Sequence, residues 1–414
     1  MHDNPFESAQ TQMREAYSLL GKQYEREFEA LQTPDRIIEV SIPVVMDDGS
    51  TRVFTGYRSE HNAARGPYKW WIRYHQDVTK EEVMALSVWM SMKCAVLDLP
   101  LGGGKWGVIV DPKILSKREI ESLSREWVRK LYKYLWPLHD IPAPDVNTNS
   151  EIMAWMVDEY SRLVGTWSPG AFTGKPLSIG GSLGRDSATA QWWFFVLEKY
   201  LTLSGQSLEG KRVIVQWAGN AGLTMIDLLS RAWAKIIGTS DSQTAIYDPH
   251  GLDVDQIITL KTWKQSLTQY VWAGKIENRE LLTRSCDILI PAALENQING
   301  ENAEKIEAEL ILELANGPTT PDADAILFGR WIPVIPDILA NAGGVTVSYF
   351  EQVQNNANYY WSHEEVHEKL ERKMQTALSE VLLQAKEKHT SLRMGAYLVA
   401  LDRILEAMHV RNSH

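Results

Sequence analysis

Between residues 211 and 337, short apolar runs alternate with longer helical or mixed stretches, and this alternation restricts the possible folds more than any other feature of the chain. The runs span 212–216, 235–239, 287–292, 309–314 and 332–335. Several are continuously apolar and β-branched. A strand with one face in water alternates polar and apolar residues, so continuous apolar character marks strands buried on both faces. Strand, helix, strand in repetition is the pattern of a doubly wound parallel sheet of the Rossmann type.

The remainder needs a second core, because 414 residues suggest two domains of about 150–200 residues each. Strands are expected at 37–45 and 52–57, joined by the turn Asp47-Asp48-Gly49. Ser116 and Glu119 have capping-box spacing and open a helix whose apolar face carries Ile120, Leu123, Trp127, Leu131 and Leu135. Ser362 and Glu365 repeat that spacing ahead of Val366, Leu370, Met374 and Leu378, and a last helix is expected over 392–409. The expected fold is α/β with two domains. Residues 1–180, joined by the C-terminal helix 391–414, form an α/β substrate and oligomerisation domain. Residues 181–390 form the doubly wound dinucleotide-binding domain.

The net charge of −11 argues against a duplex nucleic-acid binder, which would present a basic face. The two cysteines, Cys94 and Cys286, are far apart and form no CxxC motif; a reducing cytoplasm fits them best. Cys94 sits in an apolar run and is expected to be packed rather than reactive. The N-terminus lacks the basic and apolar regions of a signal peptide. No stretch has the ~18 apolar residues of a membrane span. No metal site is expected.

Three motifs carry candidate chemistry. In the first, GPYKWWIRYH (66–75) is followed by Lys93 and then by Gly102-Gly103-Gly104-Lys105. Any one lysine is most simply a surface lysine, but Lys105 follows three glycines, which permit close approach of the backbone to a ligand, and it adjoins apolar runs. A lysine so placed has a lowered pKa and acts as a neutral amine or polarises a carbonyl. In the second motif, PAPDVNT (142–148), the prolines fix Asp145; the carboxylate either caps the helix near 150–163 or exchanges protons with a lysine. The third, TGKP (173–176) leading to GGSLGR (180–185), serves as a hinge or a ligand-contacting loop.

Together these runs, with KCAV (93–96), ANGPTTPDAD (315–324) and NAGGVTVSYFE (341–351), resemble the glutamate, leucine, valine and phenylalanine dehydrogenases over residues 12–410. The resemblance implies that Lys105 is the catalytic lysine and Asp145 the proton-transferring carboxylate. It places Lys93 at the substrate α-carboxylate, and Lys69 and Ser348 at the side-chain carboxylate, with Thr173 in the same substrate site. Branched-chain members carry an apolar residue in place of Lys69, so L-glutamate, 2-oxoglutarate and ammonia are the implied substrate set. Gly219, Asn220, Gly222, Asp241, Thr189, Asn316 and Asn341 are implied to contact NAD or NADP. Asp241, 24 residues after Trp217, suits a ribose hydroxyl and favours NAD, whereas Ser240 and Ser242 are able to receive a 2′-phosphate. A homo-hexamer is implied.

The chain departs from the family at its tryptophans. Trp70, Trp71, Trp106 and Trp217 stand where the family pattern has glycine, and Trp136, Trp192, Trp193, Trp233 and Trp331 where glycine or another small residue is expected. Trp217 replaces the first glycine of the dinucleotide fingerprint, which makes the tight turn from strand to helix. An indole there is expected to crowd the pyrophosphate site and, if φ is positive, to cost ~1 kcal/mol or more. Two alternatives to an active glutamate dehydrogenase follow: a dehydrogenase of an apolar amino acid, and a catalytically silent variant.

Overall fold

The computed structural model describes residues 4–21 and 23–411, with side chains throughout except at 185–190. The chain divides into two compact units. The first comprises Met1–Asp186, Gly344–Lys369 and Tyr397–His414; the second comprises Ser187–Gly343 and Leu370–Ala396. This division differs from the expected one chiefly in residues 344–369, which group with the first unit. In that segment Ser348, Glu351 and Gln354 of the helix Gly343–Ala357 hydrogen-bond to Thr173, Gly174 and Ser182, contacts that no periodicity reports.

The first unit is built on strands β1 (Arg36–Val45), β2 (Thr51–Asn62), β3 (Tyr68–His75), β4 (Gly102–Ile109) and β5 (Asp140–Pro144), in the order β1-β2-β4-β3-β5. β1 and β2 form the hairpin expected around Asp47–Gly49, with Gly49 at φ 83°. β3 runs parallel to both β4 and β5, so the ends of three strands carrying candidate site residues lie side by side. The helix Lys117–Leu131 begins at the expected capping box, both halves of which are made. Its face buries Leu123, Trp127, Val128 and Leu131 against Ile42, Phe54, Ile72 and Val108 of the sheet, each full burial contributing about 1.5–3 kcal/mol.

Two of the three glycines before Lys105 are required by packing. A Cβ on Gly103 would lie 2.2 Å from the Ser91 amide nitrogen, and one on Gly102 would lie 2.1 Å from the Asn62 carbonyl oxygen. The helix Lys80–Val96 and the end of β2 therefore close directly onto the β4 backbone.

The second unit contains β6 (Arg212–Gln216), β7 (Lys235–Ser240), β8 (Ala245–Tyr247), β9 (Gly274–Ile276), β10 (Cys286–Pro291), β11 (Ala308–Leu312) and β12 (Val334–Ile335). Their order is β12-β11-β10-β6-β7-β8-β9. The five strands from β12 to β7 are parallel, and β8 and β9 extend the sheet antiparallel. The parallel strands are the five apolar runs of the sequence. β8 and β9, three residues each, are too short to leave a periodic signal. The chain passes from β6 to β7 on one side and places β10 on the other, so the direction of winding reverses beside β6, where α/β sheets of this type bind ligands. Among the described residues, no helix is long and apolar enough to cross a membrane.

Candidate active site

Within the first unit, β3 presents Lys69, Trp71 and Arg73 on one face, because alternate residues of a strand share a face. Lys69 is fully buried. Its ammonium donates to the Ile141 carbonyl at 3.0 Å and to Thr173 Oγ1 at 2.8 Å, and it lies 5.7 Å from the centre of the Trp71 ring. Thr173 Oγ1 is in turn 2.5 Å from Ser348 Oγ. Lys69, Thr173 and Ser348, which are 279 residues apart at the extremes (348 − 69), thus form one buried chain of polar groups.

Further along that face, Lys105 Nζ from β4 donates to Asp145 Oδ2, and Arg73 Nε reaches the same oxygen at 3.2 Å. Asp145 is not the helix cap. Asn149 caps Ser150–Val164 by accepting from the Ile152 amide at 3.1 Å. Asp145 is instead held by a turn in which its amide donates to Thr148 Oγ1 at 2.7 Å, while Thr148 donates to the Ile72 carbonyl of β3 at 2.8 Å. Burial draws the Lys105 ammonium below the usual lysine range, and Arg73 adds to that effect while Asp145 opposes it. Burial pushes the Asp145 carboxyl up, but Lys105 and Arg73 together hold it below the ordinary value. A charged carboxylate beside a lysine whose proton is loosely held is a proton-exchange pair.

Lys93 lies partly buried on the helix Lys80–Val96. The adjacent Cys94 is buried, packed as expected, and burial pushes its thiol up to about 12 against the opposing charges of Lys69, Arg65 and Lys93.

Three contributors carried no assigned role in the sequence. Arg73 sits four residues from Lys69 on the same strand face, a spacing that could have flagged it. Glu351 and Lys175 form a fully buried ion pair at 2.7 Å; Glu351 also accepts from the Gly174 amide at 2.8 and 3.0 Å. This clamp holds the loop bearing Thr173 to the helix bearing Ser348. Only tertiary packing brings those segments together.

In the second unit, the helix Asn220–Arg231 follows β6 through Trp217, Ala218 and the N-cap Gly219. A Cβ on Gly222 would lie 2.0 Å from the Trp217 carbonyl oxygen, so the helix abuts the strand end only with glycine there. Gly219 and Gly222 leave bare backbone at the first turn of the helix, the geometry that receives a pyrophosphate. Asn220 opens the helix and is exposed. The backbone fits a dinucleotide; the Trp217 side chain does not, since its indole nitrogen lies 2.7 Å from the position a Gly219 Cβ would take.

Asp241 follows β7 directly. Its Oδ2 accepts from the Leu267 amide at 2.7 Å and from Lys261 Nζ at 3.2 Å, and its Oδ1 accepts from the Gln243 and Thr244 amides. Burial raises its pKa, yet these donors hold it below the carboxylate norm. Both oxygens order the β7–β8 loop, so a ribose hydroxyl at Asp241 would share an acceptor already in use. Asn341 Nδ2 donates to Asn316 Oδ1 at 3.2 Å and its Oδ1 accepts from Trp193 Nε1 at 2.8 Å, bringing that predicted pair together. The side chain of Thr189 lies outside the described residues.

The chain matches the model of the Glutamate/Leucine/Phenylalanine/Valine dehydrogenase family over residues 180–412 and that of the Glu/Leu/Phe/Val dehydrogenase dimerisation domain over 34–162. It is 48% identical over 407 residues to the cryptic catabolic NAD-specific glutamate dehydrogenase of Bacillus subtilis, covering 98% of this chain and 95% of that one. It is 46% identical over 410 residues to an NAD-specific glutamate dehydrogenase of Staphylococcus aureus, covering 99% of each. Among solved structures, glutamate dehydrogenase of Peptoniphilus asaccharolyticus superimposes with a TM-score of 0.89 at 43% identity, covering 99% of this chain and 100% of that one. A hetero-hexameric glutamate dehydrogenase of Thermus thermophilus gives 0.92 at 35% identity, covering 100% and 98%.

Proposed function

The chain belongs to the glutamate/leucine/phenylalanine/valine dehydrogenase family and oxidatively deaminates L-glutamate to 2-oxoglutarate and ammonia, and we propose that Lys105 with Asp145 carries the proton transfers while Lys69, Thr173 and Ser348 receive the substrate's side-chain carboxylate. NAD is the preferred cofactor, as it is for the B. subtilis and S. aureus relatives; when bound, it supplies the hydride acceptor. Gly219, Asn220 and Gly222 would hold its pyrophosphate, and Asn316 and Asn341 its nicotinamide end.

The observation that carries the assignment is the buried ammonium of Lys69 backed by two hydroxyls. Such a site is complementary in charge and hydrogen bonding to a carboxylate and offers an apolar side chain no comparable interaction. This weighs against the reading as a dehydrogenase of an apolar amino acid. Lys93 takes the α-carboxylate. Once the Cα–N bond has become an imine, neutral Lys105 accepts a proton from the attacking water. Lys105 hands that proton to the Asp145 carboxylate held beside it, and Asp145 passes it on to the departing nitrogen. The pair is returned to its starting state when ammonia leaves.

A homo-hexamer is the proposed assembly, supported by the hexameric T. thermophilus relative and by the dimerisation-domain match over 34–162. Two buried, unpaired cysteines fit a reducing cytoplasm.

Glutamate-dependent reduction of NAD, followed by absorbance beside NADP and beside leucine as substrate, tests the reading. Turnover with glutamate and NAD well above the other combinations is expected. Preference for leucine would overturn the Lys69 assignment. A folded protein that neither turns over nor has its tryptophan fluorescence quenched by NADH would favour the silent alternative, which Trp217 motivates.

A further inference from the structure

Positive φ is the mark of glycine, and among non-glycine residues it is tolerated best by asparagine. Among the described residues Asn147, Asn296 and Asn358 adopt it, and so do three tryptophans: Trp217 at 80°, Trp233 at 63° and Trp331 at 60°. For a bulky side chain this conformation is a strained exception. Tryptophan is as frequent there as the residue best suited to it.

Two of the three share one motif. After the helix Asn220–Arg231, the Trp233 amide donates to the Ser230 carbonyl at 3.0 Å and the Ala234 amide to the Leu229 carbonyl at 3.0 Å. After the helix Pro321–Gly329, the Trp331 amide donates to the Phe328 carbonyl at 3.0 Å and the Ile332 amide to the Leu327 carbonyl at 3.0 Å. These are paired Schellman closures with tryptophan at the left-handed position, which glycine most often fills. Gly205 fills it in the same bonding pattern after Leu203. Lys264 and His389 also occupy such closures, so a side chain is possible there, but their polar heads are at ease in water. Trp233 and Trp331 are 79% and 87% exposed, so little burial offsets the strain.

Trp217 is the third case, at the turn between β6 and its helix, where the indole lies against Gly219 and fills the space beside the bare helix terminus. Trp89 is the contrast: it sits within a helix and donates from Nε1 to Gln12 at 3.2 Å. It is an ordinary tryptophan in ordinary surroundings.

We infer that positions 217, 233 and 331 are glycine in the working polypeptide, and that Trp217 is the residue by which a chain carrying tryptophan would lose its dinucleotide. One codon accounts for all three. UGA, where it is not a stop signal, is read as tryptophan in some genetic systems and as glycine in others, so a gene with UGA at these places is written with tryptophan under one reading and made with glycine under the other. Positions with ordinary tryptophan geometry, such as 89, would carry UGG. The consequence for the cofactor rests on the function proposed above; the backbone argument does not.

Peptide mass spectrometry of the enzyme isolated from the cells that make it decides the matter. Peptides spanning 217, 233 and 331 are expected at the glycine masses, with tryptophan at 89 as the internal reference; tryptophan at the three positions overturns the inference. Recombinant protein supplies a second arm. Trp233→Gly and Trp331→Gly are each expected to raise Tm by about 2–4 °C, and unchanged or lower melting overturns the strain argument. Trp217→Gly is expected to tighten NADH binding by at least about tenfold in titration calorimetry. Glycine masses and raised Tm without NADH binding by W217G would sustain the glycine positions while overturning the role given to Trp217 and, separately, the dinucleotide reading.

Discussion

Thr173 Oγ1 lies 2.5 Å from Ser348 Oγ while accepting from the buried ammonium of Lys69, so one threonine joins a strand, a loop and a helix from distant parts of the sequence at a single cationic site.

That chain of contacts predicts how glutamate recognition fails. Lys69→Leu removes a charge-assisted hydrogen bond, a loss of about 1.5–3 kcal/mol, and kcat/KM for glutamate should fall by about 10–100-fold. The loss should be small for an amino acid of similar length without a side-chain carboxylate. Comparing glutamate with norvaline checks this, and equal losses for both would place Lys69 outside the side-chain site.

The pH profile should respond to Arg73. Its positive charge lowers the pKa of Lys105, whose largest perturbation is burial, and lowers that of Asp145 alongside Lys105 itself. Arg73→Met removes that field, so both values rise. If neutral Lys105 is the proton acceptor, the acid limb of kcat/KM moves to higher pH. The linked stability term has the same sign: both folded-state values are depressed, so this contribution is present above the unfolded values and is lost as pH falls through the folded ones. An acid limb that stays in place would show that neither group sets it.

The Lys175–Glu351 pair is wholly buried, and removing Glu351 takes the countercharge away from a buried ammonium. Glu351→Ala should cost about 3–5 kcal/mol. It should also raise the KM for glutamate more than it lowers kcat, because the Thr173 loop loses its clamp. Chemical denaturation and steady-state kinetics read the two effects. A variant that melts early yet keeps its glutamate KM would confine Glu351 to stability.

Gly103→Ala tests the packing role of the glycines before Lys105. The added methyl would meet the Ser91 backbone at 2.2 Å, so the helix Lys80–Val96 must shift, at a cost of about 1–3 kcal/mol. Loss of stability together with loss of turnover is expected, since Lys105 is two residues away on the same strand. Wild-type melting would mean that the helix and β4 are not closely apposed.

Much of this protein was legible in one dimension because its causes are local. The β-branched apolar stretches within 212–216 and 287–292 read as doubly buried strands, and they are β6 and the core of β10. The Ser116–Glu119 capping box depends on residues three apart and forms as read. Lys69, Lys105 and Asp145 could be singled out because each lies in a short run of residues that are neighbours in the sequence. Other features come from contacts between segments that the sequence keeps far apart. Asp145 was as good a helix cap as a catalytic carboxylate until Asn149 took the cap and Lys105 and Arg73 arrived from other strands. Asp241 had the right spacing for a ribose, but the loop it belongs to engages both its oxygens. The clamp of Glu351 on Gly174 and Lys175 joins groups 176 or more residues apart (351 − 175), and hydrogen bonds that long in sequence exist only after the chain has folded. Composition, periodicity and motif order determined what kind of molecule this is; the meeting of side chains across the fold decided which of its polar groups are free to do chemistry.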